Sequence, residues 1–332
     1  MRRNPGISFL SRRKVCVCRP ATTRPDSIAP GRRSYGGDSV GKCHGGFSLL
    51  ELIVVIVIIG IIAGLTTRFL GDTVSGYVTT SIYDQLARSG RLAVERVNRE
   101  LRNAAPNTIR VSGNCIEFLP LVASASYQDQ AVTYAATSTA SIPAPILNIS
   151  AASDRWDVFD LSFTPVAGTN YYLLIYPYGP GSGAGDPYQG TNPGPLVGFQ
   201  TIDTGTALPA GVTRVQAGAS HRFLRHSPVR RLYIATQPVS FCVLGNQLLR
   251  YANYGLQAVQ PVPPPAGSAQ VLATEIQTTD PDIPFTAAFR YQSASLVRNS
   301  VVALDFRFMR NDARGNANWV RLYHEVEVAN VP

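Results

Sequence analysis

The sequence predicts an α+β protein in which one long N-terminal helix precedes a β-rich globular domain. Three observations lead to this prediction. Residues 47–65 form an almost uninterrupted apolar run, no proline occurs between Phe47 and Ala105, and short β-type runs separated by loops rich in glycine and proline follow Pro106. The 332 residues suffice for one or two compact domains.

Residues 1–46 differ in composition from the rest of the chain. They are rich in Arg, Pro, Gly and Ser and show no apolar periodicity, which is typical of a disordered or processed segment. Ten of the 30 basic and two of the 21 acidic side chains lie here, which leaves 20 basic and 19 acidic ones in the remainder. The formal charge of +9 therefore belongs almost entirely to this segment, and the nearly neutral remainder does not favour nucleic-acid binding.

The apolar run beginning at Phe47 predicts a membrane anchor, with its spanning part in about 47–66. It has about the length that crosses a bilayer as a helix, and it lacks the polar face of an amphipathic helix. A secretory signal would end in a small-x-small cleavage site, whereas Thr66, Thr67 and Arg68 follow here. Apolar residues then recur at steps of three and four up to Leu101, so we expect one helix over 47–105.

The remaining residues, 106–332, predict the β-rich domain. Two turn residues, Gly245 and Asn246, separate two apolar runs and predict a tight hairpin, and 311–318 can turn a second one. The candidate strands are Cys115–Leu121, Tyr171–Tyr176, Arg231–Thr236, Ser240–Leu244, Leu248–Tyr251, Thr286–Tyr291, Val301–Met309 and Trp319–Val328.

Glu51 stands out because it places a carboxylate inside the apolar run. Such a group costs about a few kcal/mol near the bilayer centre and is therefore a functional candidate. The alternative is an acid tolerated near the positive end of the helix dipole.

The cysteines divide at residue 46. Cys16, Cys18 and Cys43 precede it, and only Cys115 and Cys242 follow. A remaining pair in an exported chain indicates one disulfide, with two separate buried thiols as the alternative.

The other polar and aromatic clusters do not converge on a catalytic site. We interpret Asp154, Asp157 and Asp160 as a solvated turn. The tyrosines at 171, 172, 176 and 178 suggest half-buried strand packing rather than a surface for a sugar or a partner subunit. We expect no catalytic residue, cofactor or metal site, and hence no enzyme.

The residues Gly46-Phe47-Ser48-Leu49-Leu50-Glu51, followed by the apolar helix, resemble the cleavage and anchor signature of type IV prepilins and type II secretion pseudopilins. The resemblance implies that a prepilin peptidase cuts between Gly46 and Phe47 and that Phe47 becomes the N-methylated first residue. It also implies that Glu51 pairs with the terminal amine of a neighbouring subunit and so sets the register of assembly.

Residues 91–104, 114–120 and, more loosely, the hairpin containing Cys242 resemble the O-type minor pilins of the mannose-sensitive haemagglutinin (MSHA) pilus. Roughly residues 125–225 show no such resemblance. The implied role is a structural subunit for pilus assembly or initiation. The implied partners are other minor pilins, the major pilin, and the inner-membrane assembly platform and its ATPase. The implied location is the bacterial inner membrane, with one span and a periplasmic C-terminal domain, and then the pilus at the cell surface.

Several alternatives remain at this point. A minor pseudopilin of type II secretion would share the N-terminal features, and a membrane-tethered periplasmic enzyme or an adhesin would share the anchor. The basic leader of 46 residues is long for this class, so we hypothesise that translation starts at Val40, from a GTG codon. Precursor peptides from residues 2–39 would contradict that hypothesis.

Overall fold

The computed structural model describes residues 47–131, 133–134, 142–143, 145–203, 208–265, 269–278, 287–294 and 299–328. The chain divides into two compact units, Met1–Thr73 and Val74–Pro332. One helix, α1, extends over Leu49–Arg102, so its residues belong to both units.

The second half of α1 forms one side of the core of the larger unit. Its buried residues recur at steps of three and four, as an amphipathic helix requires: Ile82, Leu86, Gly90, Ala93, Val97 and Leu101. The basic residues Arg99 and Arg102 in the last turn suit the negative end of the helix dipole. The observed bounds agree closely with the predicted helix over 47–105.

Sixteen strands follow within the described residues. They are β1 Arg110–Ser112, β2 Cys115–Phe118, β3 Leu121–Tyr127, β4 Thr133–Tyr134, β5 Ile142–Pro143, β6 Ser153–Phe159, β7 Tyr171–Leu174, β8 Leu196–Asp203, β9 Val212–His221, β10 Arg231–Thr236, β11 Val239–Leu244, β12 Gln247–Ala252, β13 Gln270–Thr274, β14 Phe289–Gln292, β15 Ser300–Asn311 and β16 Ala317–Val328.

Two antiparallel sheets share a core with α1. The first has the order β1-β2-β11-β12-β13, and the second has the order β14-β15-β16. Phe118 and Phe241 from the first sheet and Phe306 and Phe308 from the second are fully buried in one cluster with Leu86. The helix is therefore held by apolar side chains from both sheets, which is the usual source of helix stability in proteins.

The strands β10-β3-β6-β9-β8-β7 close into a barrel. Its interior is filled by a separate apolar cluster that includes Trp156, Leu173, Val215 and Ile234. In the chain, the barrel lies between β2 and β11, which are neighbours in the five-stranded sheet. Because β2 pairs with β11 and β3 pairs with β10, the chain enters and leaves the barrel on adjacent strands.

The predicted hairpin at Gly245 and Asn246 joins β11 to β12, and residues 312–316 turn the hairpin between β15 and β16. Strand β10 has the predicted bounds. Gly245 has a φ of 54°, a conformation that glycine adopts without steric cost. The candidate strand Thr286–Tyr291 is represented by β14, although Thr286 lies outside the described residues.

Three predictions about the strands were wrong in detail. The candidate strand Cys115–Leu121 is interrupted at Leu119 and Pro120, because Pro120 has no N–H and because this segment pairs with the residues that follow α1. There, the N–H of Ala105 donates to the carbonyl of Leu119 at 2.8 Å. The candidate strand Tyr171–Tyr176 ends at Leu174.

The third error concerns the interpretation of residues 154–160 as a solvated turn. These residues belong almost entirely to β6, and the Asp157 side chain is fully buried. The guanidinium of Arg214 on β9 donates two hydrogen bonds to the Asp157 carboxylate, at 2.7 and 3.0 Å. This charge-assisted pair joins two neighbouring strands and offsets the cost of burying the Asp157 carboxylate.

Candidate functional site

The start of α1 is organised by Ser48. Its Oγ accepts the backbone N–H of Glu51 at 3.2 Å, which places Ser48 at the N-cap and Glu51 at the third helical position. Sequence reasoning missed this role, although a serine followed three residues later by a glutamate is the pattern of a capping box. Helix α1 thus begins two residues after the predicted cut.

The predicted processing site is described on one side only, since Gly46 lies outside the described residues. Phe47 precedes the N-cap residue and has 82% of its surface exposed. Glu51 is also exposed, and its carboxylate makes no hydrogen bond or ion pair within the part of the chain that the structure describes. A negative charge near the helix N-terminus is therefore available to a partner outside the chain.

The apolar run that follows is not covered by the fold. From Leu49 to Leu65, the large apolar side chains are 43–76% exposed. Among the described residues, α1 is the one helix long and apolar enough to cross a membrane, and none of its most apolar window is buried. An exposed apolar surface of this length is energetically acceptable in lipid and costly in water.

Two threonines mark the end of the apolar run, and their hydroxyls are satisfied within the helix. Thr66 donates to the carbonyl of Ile62 at 2.7 Å, and Thr67 donates to that of Ala63 at 2.8 Å. Such back-bonding supplies polar side chains with a partner where water is scarce. These residues are therefore compatible with the boundary of a membrane-spanning segment.

The two cysteines after Gly46 meet in the five-stranded sheet. Cys115 on β2 and Cys242 on β11 are directly opposite in register and are joined by a disulfide, with their Cα atoms 4.1 Å apart. The bond links residues that are 127 positions apart, and the barrel lies within that interval. The disulfide therefore crosslinks the two strands through which the barrel joins the sheet.

A buried ion pair lies on the same sheet. The Arg110 guanidinium donates to the Glu117 carboxylate at 2.9 Å and to the carbonyls of Gln257 and Ala258. Burial raises the pKa of Glu117, and Arg110 opposes this shift. Arg110 also lies 3.6 Å from the ring centroid of Tyr188. Through these contacts, Arg110 binds the loop that contains Gln257 and the loop that contains Tyr188 to the sheet. The cluster therefore has a structural role.

Two of the three histidines after Gly46 also have structural partners. His221 is buried and lies with Nε2 3.0 Å from the Gly194 carbonyl, and His226 lies 3.3 Å from the Tyr127 hydroxyl. Burial lowers the pKa of both imidazoles. Within the described ranges, no group of three His, Cys, Asp or Glu side chains could hold a metal ion.

Comparison with known proteins identifies one element. Residues 41–67 match the model of the prokaryotic N-terminal methylation motif, a prepilin-type signal. No curated protein and no solved structure matches the chain significantly. The motif supports a type IV pilin-like or pseudopilin-like protein, and with one apolar N-terminal helix the chain fits a single-pass membrane protein. It also implies processing by a prepilin peptidase and the use of pilus assembly machinery in general.

Proposed function

We propose that the mature chain is a minor pilin-like structural subunit, used in the assembly or initiation of a type IV pilus of the MSHA type. The observation that carries the proposal is the methylation motif at 41–67, which includes the exposed apolar start of α1. A prepilin peptidase cuts between Gly46 and Phe47, and Phe47 is then N-methylated. The peptidase performs this chemistry, and the chain itself has no catalytic role.

Glu51 acts in assembly rather than in processing. Its carboxylate is the only acidic group in the apolar run and has no partner among the described residues. In a medium of low dielectric constant, an unpaired carboxylate is costly, and a nearby positive charge relieves that cost. The terminal amine of Phe47 in a neighbouring subunit supplies this charge, so that pairing fixes the register of adjacent helices.

The proposed topology follows from the same features. The anchor over about 47–66 lies in the bacterial inner membrane, and the strand-rich domain faces the periplasm before assembly. The disulfide between Cys115 and Cys242 suits that oxidising compartment. The partners are the assembly platform and its ATPase, the other minor pilins and the major pilin. The subunit then passes into the pilus at the cell surface.

Mass spectrometry of the mature N-terminus tests the processing step. We expect a peptide that begins at N-methyl-Phe47 in wild-type cells and an uncut precursor in cells without prepilin peptidase. A chain that retains residues before Phe47 in both strains would show that the motif is not used.

Substitution of Glu51 separates assembly from processing. We expect Glu51→Gln to be cut normally, because the scissile bond is unchanged, but to be lost from sheared pilus fractions. Glu95→Gln is the matched control, because Glu95 is an exposed acid on the same helix but outside the apolar run. Equal incorporation of the two variants would contradict the proposed pairing.

A minor pseudopilin of type II secretion is the second candidate, because the methylation motif belongs to both classes. Deletion of the gene distinguishes the two candidate functions. Loss of surface pili with normal secretion supports the pilus assignment, and loss of secretion with normal pili supports the pseudopilin assignment.

A further inference from the structure

The wall of the barrel contains an open cleft that assembly through the N-terminal helix does not use. It has a volume of about 570 Å³ and lies between the loop at residues 165–170 and the strands β7 and β8. Its lining contains no charged side chain. The volume falls within the range of small-molecule sites in proteins.

Behind the cleft, three aromatic rings pack in the barrel interior. Phe163, Tyr171 and Phe199 contact one another edge to face, with ring centroids 5.0–6.0 Å apart. The Tyr171 hydroxyl also accepts the backbone N–H of Val166 at 3.1 Å, which ties the loop to β7. Packing and this hydrogen bond hold the loop and the rings in place before any ligand arrives, which lowers the entropy cost of binding.

Three polar side chains at the cleft have no partner among the residues that the structure describes. Tyr172, Asn170 and Gln200 all line it, and the Tyr172 hydroxyl and the two amides make no hydrogen bond within the part of the chain that is described. Gln200 is the extra residue of a bulge, since Phe199 pairs with Ala217 and Thr201 with Gln216. Bulges commonly redirect a side chain at functional sites.

An open space adjoins the Tyr172 ring. Gly198 is directly opposite Tyr172 in the ladder between β7 and β8, and a Cβ atom built on Gly198 would meet no atom within 4 Å. Any larger residue would place a side chain beside the ring. Glycine therefore leaves that side of Tyr172, and the backbone of β8, accessible from solvent.

We propose that this cleft binds a neutral saccharide unit. The Tyr172 ring, beside which Gly198 leaves open space, offers a surface to the C–H groups of a sugar ring, while its phenol and two amides supply both donors and acceptors to the sugar hydroxyls. A charged ligand would lose hydration without gaining an ion pair in an uncharged cleft. A wholly apolar ligand would leave the three polar groups without partners. This inference does not depend on the role in assembly.

Saturation-transfer NMR on the full mature chain tests the proposal, with zwitterionic detergent so that no sugar headgroup competes. The probes are cellobiose, lactose and diacetylchitobiose, each measured alone. We expect saturation transfer to at least one of them. Gly198→Thr should weaken that binding by at least about tenfold, because the threonine fills the open space.

The Gly198→Thr variant is suitable because it fits the fold. The position is exposed, open and on a strand, where a β-branched residue is favourable. Val122→Thr, on the exposed surface of β3, is the matched control and should bind like the wild type. Absence of transfer to all three probes in the wild-type protein would overturn the proposal. Undiminished transfer in Gly198→Thr would overturn it as well, because the saccharide would then bind elsewhere.

Discussion

Gly90 allows the helix to approach the three-stranded sheet closely, and its replacement by alanine tests that contact. A Cβ atom on Gly90 would lie 2.4 Å from Cδ1 of Leu322 and 2.7 Å from Cε2 of Phe308. The Leu322 methyl can rotate away, but the Phe308 ring is fully buried and has little room to move. Overpacking of this kind costs about 1–3 kcal/mol.

Alanine also has a higher helix propensity than glycine, by about 0.8–1 kcal/mol, which opposes the steric cost. Gly76→Ala isolates this contribution, because Gly76 lies on the same helix and a Cβ there would meet nothing within 4 Å. We therefore expect Gly76→Ala to be neutral or to stabilise by up to about 1 kcal/mol. Gly90→Ala should unfold more easily than Gly76→Ala by about 1–3 kcal/mol, since the propensity gain cancels in that difference.

Urea unfolding of the detergent-solubilised chain measures this difference. The protein contains two tryptophans, so Trp156→Phe leaves Trp319 on β16 as the one fluorescent reporter of the sheet that contacts the helix. With a urea dependence of about 2 kcal/mol per molar, a 2 kcal/mol difference moves the midpoint by about 1 M. Equal midpoints for Gly90→Ala and Gly76→Ala would refute the close approach of α1 to Phe308 and Leu322.

Three further predictions concern the strand-rich domain. Alkylation without reductant should leave Cys115 and Cys242 unlabelled, and loss of their disulfide should cost about 2–5 kcal/mol; label on either cysteine would show that the bond is absent. Asp157→Asn should cost about 3–5 kcal/mol, because it removes the carboxylate that pairs with the buried Arg214 guanidinium, and additive effects with Arg214→Met would show that the two side chains are not coupled. Burial lowers the pKa of His221 below its unfolded value of about 6.5, so the neutral imidazole contributes fully to stability above that pH, and this contribution declines as the pH falls through the lower folded pKa. Thermal unfolding of His221→Gln should therefore depend less on pH below about 6.5 than that of the wild type, and unchanged dependence would count against that assignment.

The long helix and the hairpins could be predicted because their signals are local. The apolar run, the absence of proline before Pro106 and the periodic residues up to Leu101 fix the helix within a few residues of its observed bounds. The Gly245-Asn246 turn is flanked by apolar runs and therefore identifies β11 and β12. In these elements, the local sequence signal and the tertiary fold favour the same secondary structure.

Most of the barrel could not be predicted, because its strands carry polar residues whose partners are distant in sequence. From the sequence alone, Asp157 is interpreted as part of a solvated turn, and its burial becomes favourable only when β6 and β9 lie side by side and bring Arg214 next to it. The same limit applies to Gly90, which lowers helix propensity locally but permits close packing against Phe308 and Leu322. At the N-terminus, by contrast, the local motif identified Phe47 and Glu51 as candidates.

The position of the barrel in the chain affects the order in which the domain can fold. Without the barrel, pairing of Cys115 with Cys242 would close a loop across a 127-residue separation. Strand β2 leads into β3, and β10 leads into β11. Once the barrel has formed, the pairing of β3 with β10 therefore already holds the end of β2 close to the start of β11. Because closure entropy grows with the logarithm of loop length, this arrangement lowers the cost of completing the sheet by roughly 2 kcal/mol. The barrel therefore acts as an internal template: because β10 precedes β11, β12 and β13 in the chain, the barrel can fold before the sheet is completed.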